Sequence, residues 1–173
     1  MNILHNLRNL IFPHRPAKRK ALTLYLEAVE QSRHRENFEA FELTDTQEGR
    51  FGFLSLHVYI LLEALNKRLL NNKVSQELVD LFFDDMDASL REMGVGDLGV
   101  GKRMKLMAKT FYGGLQAFEN AKDQQLEDMV PYFTNNLYIG AQKEKSTLNA
   151  LHTYIQEQRK KINLRVDEHT DCR

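Results

Sequence analysis

Residues 93–103 read MGVGDLGVGKR, the stretch of the chain best suited to holding a phosphate. Gly94, Gly96 and Gly99 spell G-x-G-x-x-G, and Gly96, Gly101 and Lys102 spell G-x-x-x-x-G-K. Both patterns bind anions by leading a strand through glycines onto a helix N-terminus, whose free N–H groups face the ligand. The element upstream does not fit that use. Leu78, Phe82, Met86, Leu90 and Met93 recur at helical spacing, and Asp87 and Arg91 form an i,i+4 pair. Position 103 is Arg, where a phosphate loop needs a Ser or Thr hydroxyl for magnesium. The stretch therefore reads as a helix–loop–helix corner. Gly94 is the residue just past the first helix, and Asp97 or Gly99 stands near the start of the second. A helix N-terminus beside Lys102 and Arg103 retains the capacity to hold an anionic group of a partner.

Three other sets of residues have chemical potential. Asp80, Asp84 and Asp87 lie at i, i+4, i+7, with Asp85 as a fourth acid. A bundle metal site wants Glu-x-x-His pairs on facing helices, which the sequence lacks, so the acids read as a solvated or partner-facing stripe. His57 has no Ser, Cys or Asp beside it in sequence and sits one turn from Phe53 and Leu61, the setting of a hydrogen-bonded core or groove histidine. Met86, Met93, Met104 and Met107 flank the corner with Phe111. Most read as core, with one or two available to line a groove for varied apolar partners. A small-molecule enzyme using the glycine corner and His57 is the competing class.

The elements that must position these residues are helical throughout. Three prolines, at 13, 16 and 131, leave most of the chain free of breakers, and no window alternates with period 2. Helices are expected over 17–32 and 34–42. A long one follows Asp45 or Thr46 as cap and runs to about Asn71, weakened at its start by Gly49 and Gly52. Ser75 is expected to cap the next. Further helices are expected from about Val100 to Ala121, over about 125–139 with Gly140 as stop, and from a Ser146 or Thr147 cap onward. Pro131 implies a kink unless it falls in a first turn. The organisation is one all-α domain of about seven helices over 17–164, an apolar and basic N-terminal segment over 1–16, and a frayed tail over 165–173.

Lys plus Arg and Asp plus Glu both total 24, so bulk charge names no partner. Residues 1–20 carry Arg8, Arg15, Lys18, Arg19 and Lys20 without an acid, while 36–48 carry five acids without a base. With Ile3, Leu4, Leu7, Leu10, Ile11 and Phe12, the start has the pattern of an amphipathic helix at a membrane interface, or of a short packed helix or tail. One cysteine, Cys172, excludes an internal disulfide and suits a reducing compartment. No secretory signal or membrane-length apolar run is read.

The segments TQEGRFGFLSLHVYILLEAL, LVDLFFDDMDASLREMGVGDLGVGKRMKLMAKTFYGGLQAF and NNLY, taken in order, resemble the ubiquinol–cytochrome c chaperone family over roughly residues 20–142. The resemblance implies an all-helical assembly factor for cytochrome b of the cytochrome bc1 complex, in mitochondria or α-proteobacteria. It implies neither catalysis nor a cofactor or metal. Its expected partner is newly made cytochrome b, near the ribosomal exit tunnel, with peripheral membrane contact through residues 1–20 and no DNA. A bacterial cytoplasmic protein, peripheral at the inner membrane, is expected, or a matrix protein in a eukaryote. Carried over by position, the partner-binding residues are Arg50, Phe51 and His57 on one helix, with Gly49 beside them. Asp84, Asp87, Arg91 and Glu92 lie on the next, then Gly94, Gly96, Asp97, Gly101 and Lys102 at the corner, and Tyr112 downstream. The alternative partner is another membrane or RNA client.

Overall fold

The computed structural model describes residues 16–66, 72–121 and 125–168. The apolar and basic N-terminal segment and Cys172 lie outside them, apart from Pro16, which opens the first helix. Seven helices occur among the described residues: α1 Pro16–Ser32, α2 Arg35–Ala40, α3 Gln47–Asn66, α4 Asn72–Glu92, α5 Asp97–Ala121, α6 Leu126–Asn136 and α7 Lys145–Glu168. They form a single all-α domain around one apolar cluster.

The chain builds this core on α3. Its run FGFLSLHVYILLEAL carries apolar residues on every side, so the helix has no solvent stripe and must be buried all round. α1, α4, α5 and α7 pack against it. Thr46 starts the helix, its hydroxyl accepting the Gly49 N–H at 3.1 Å. The two glycines allow close approach. A Cβ at Gly49 would lie 2.0 Å from the Thr44 carbonyl oxygen, and one at Gly52 would lie 2.6 Å from that of Asn136, at the end of α6.

Several expected boundaries move. α4 begins at Asn72, three residues before Ser75, whose hydroxyl donates to Asn66 Oδ1 at 3.3 Å instead of capping. α5 begins at Asp97, a turn before Val100, because the Gly96 carbonyl already accepts the Val100 N–H. α7 starts at Lys145, so neither Ser146 nor Thr147 is its cap; the Glu144 carbonyl takes the Leu148 N–H, and the Thr147 hydroxyl donates to Glu42. α6 ends at Asn136, short of 139, and the turn after it carries Ile139 and Gly140 at positive φ. Pro131 falls in the second turn of α6, where its missing N–H leaves the Glu127 carbonyl without a helical donor.

Candidate functional site

The glycine corner is built from backbone chemistry. Beyond α4, the Gly94 N–H bonds the Arg91 carbonyl at 2.9 Å and the Val95 N–H bonds the Leu90 carbonyl at 3.1 Å. This pair of bonds is a Schellman termination, which requires the left-handed φ of +80° found at Gly94. Gly99 sits under the Val95 side chain, where a Cβ would come within 2.8 Å of Cγ1. Gly96 and Gly101 have neither positive φ nor a close neighbour. Arg91 then ties the two helices together. Its Nε meets Asp87 Oδ2 at 2.5 Å and its Nη1 meets Asp97 Oδ1 at 2.6 Å. Hydrogen bonds to both carboxylates raise the Arg91 pKa further. Asp97, in the first turn of α5, also suits the positive end of that helix.

Asp87, Arg91, Gly94, Asp97, Gly101 and Lys102 thus lie together at or beside the corner, with Asp84 exposed one turn back along α4. Met93 and Leu98 stand there at 54% and 95% exposure, Met93 having left the buried stripe of Leu78, Phe82, Met86 and Leu90. Tyr112 is half-exposed farther along α5, its ring 6.1 Å from that of Phe83. Arg50 and His57 belong to other surroundings. Arg50 pairs with Asp45 at the exposed start of α3. Phe51 is partly buried, its ring 5.7 Å from that of Phe82. Met104 and Met107 are partly buried and pack against the core.

His57 is a core residue. Its Nε2 lies 3.1 Å from the Tyr154 hydroxyl, and its ring meets Phe53 edge-on at 5.0 Å. Burial, with His34 as the smaller cause, pushes its pKa down to about 4, so at neutral pH the ring is uncharged. Its hydrogen-bond partner among the described residues is the Tyr154 phenol, whose pKa burial raises.

Two buried polar pairs escaped the sequence reading. Asp85 does not join the acidic stripe; it turns inward and accepts the Tyr25 hydroxyl at 2.7 Å. Its other oxygen has no hydrogen-bond partner, and burial raises its pKa. The signal was available, since Asp85 follows Leu78 and Leu81 on the apolar side of α4. Glu63 of α3 takes Arg159 Nε of α7 at 2.9 Å in the interior, and the guanidinium lies 5.1 Å over the Phe118 ring. A charged residue inside the run LLEAL was the corresponding clue. A separate cavity of about 410 Å³ lies between the end of α5 and α6, lined mainly by polar residues such as Asn120, Glu127 and Asn135.

Among the described residues no three His, Cys, Asp or Glu side chains converge as a metal site would require. No described helix is long and apolar enough to cross a membrane. The family model described as ubiquinol-cytochrome C chaperone matches residues 39–169. The chain is also similar to the crystal structure of the Cbp3 homolog from Brucella abortus, with 31% identity and a TM-score of 0.68, over 85% of this chain and 82% of that one. No curated protein matches.

Proposed function

The chain belongs to the ubiquinol–cytochrome c chaperone family, and from that premise we propose that it binds newly made cytochrome b and promotes assembly of the cytochrome bc1 complex. The observation that carries this reading is a family match spanning both the core helix α3 and the whole glycine corner. The mechanism is physical and needs no catalytic group. A transmembrane client awaiting its partners exposes apolar segments flanked by charge. The corner offers Met93 and Leu98 exposed between Asp84 and Lys102, with Tyr112 farther along the same helix. Such a surface covers an apolar segment and pairs its flanking charges while leaving it releasable. A non-enzymatic role agrees with a buried, uncharged His57. We further propose that it works on the cytoplasmic side of a bacterial inner membrane, near the ribosomal exit tunnel.

Deleting the gene tests the reading. Assembled bc1 complex and spectroscopically detectable cytochrome b are expected to fall sharply and to return with the wild-type copy. Normal bc1 levels in the deletion strain would sink it.

A further inference from the structure

We propose that the outward face of α5 docks this chain onto a bilayer containing anionic lipid. Leu98, Lys102, Leu106 and Lys109 follow one another at steps of four, four and three residues, with Lys105 three beyond Lys102 and four before Lys109, which sets all five along one side of the helix. Val100, Phe111 and Phe118 take the opposite side into the core. The outward stripe is about 16 Å long at 1.5 Å per residue. All five side chains are exposed, and Leu106 is 64% exposed.

Residues 98–118 contain Lys102, Arg103, Lys105 and Lys109 and not a single acid, in a chain whose charges balance overall. None of the four has a carboxylate partner among the described residues. Asp80 and Asp84 are exposed on α4 instead, so within this hairpin the acid-free cationic side belongs to α5 and favours that side towards an anionic surface.

The alternation of leucine with lysine decides the partner. RNA would reward the cations but gains nothing from two exposed leucines; binding sites for single strands add aromatic stacking platforms. A bilayer rewards both. Leucine enters the acyl boundary while lysine stems lie along the surface and their ammonium groups reach headgroup phosphates. The inference does not depend on the identity of the client.

The test is flotation of the purified full-length chain with vesicles of phosphatidylcholine alone, or mixed with phosphatidylglycerol. Binding is expected only to the mixed vesicles and is expected to weaken as salt rises. Lys105→Glu with Lys109→Glu should lower vesicle affinity by about tenfold or more. Leu98→Ser with Leu106→Ser should weaken it at unchanged charge, and unaltered circular-dichroism melting would show both variants folded. Cytochrome b capture, measured separately in detergent, should survive Lys105→Glu with Lys109→Glu, which separates a failed membrane contact from a failed client reading. Wild-type vesicle binding by either double variant overturns the inference. So does equal binding to neutral vesicles, or tighter binding to an RNA oligonucleotide than to the mixed vesicles.

Discussion

α3 and α5 lie in the same domain and are in contact, yet their surfaces have opposite fates. Fifteen of the 20 residues of α3 are buried, including Ser55, His57 and Glu63. α5 has 25 residues and buries five. The difference is written in residue type. Beyond its first turn α3 is apolar on every side, so Ser55, His57 and Glu63 are held inside, and two of them are paired across the core, His57 with Tyr154 and Glu63 with Arg159. α5 has one apolar stripe for the core and a second set of apolar residues set among lysines, which none of the described residues covers. Past its first turn, α3 has little surface left to offer a partner. A helix with unpartnered leucines on its far side has surface to spare for a partner.

The comparison breaks most directly on side-chain truncation. Phe53→Ala in α3 should lower unfolding free energy by about 4 kcal/mol, because a fully buried ring packed against Phe38 and His57 is lost. Leu106→Ala in α5 should change it by no more than about 0.5 kcal/mol. Urea titration at pH 7.5 reads both; similar losses would mean that the outward face of α5 is structural.

Acid sharpens the same contrast. His57 takes a proton at pH 6.5 in the unfolded chain and only at about 4 in the native one. Between those values the unfolded state binds the proton that the native state refuses, so stability falls as pH falls, by about 3 kcal/mol in all. Asp85 acts in the other direction, since its raised pKa lets the native state protonate first. His57→Gln should flatten the decline between pH 6.5 and 4 in thermal melts. An unchanged slope would show that His57 is not the group responsible.

Much of this was legible before any coordinates. The helical class, Thr46 as one of the two caps offered, the Asp87–Arg91 pair and Gly94 as the residue past α4 all follow from local rules, because each is settled within about one turn of chain. What was missed depends on partners distant in sequence. The Ser75 hydroxyl reaches back nine residues to Asn66, and Thr147 reaches across 105 to Glu42; local capping rules see neither acceptor. Asp84 and Asp85 look alike in sequence, but a rotation of about 100° sends one to solvent and the other to Tyr25. Met93 continues the spacing of a buried stripe and is exposed because α4 ends beneath it.

Photo-crosslinking in living cells tests the central claim most directly. A photoreactive amino acid replaces Met93 at the corner in one strain and Ile139, equally apolar and 61% exposed beyond α6, in another. Position 93 should yield an adduct containing cytochrome b, and position 139 should not. Adducts of equal yield from both positions, or none from position 93 in cells that assemble the bc1 complex, would contradict the account.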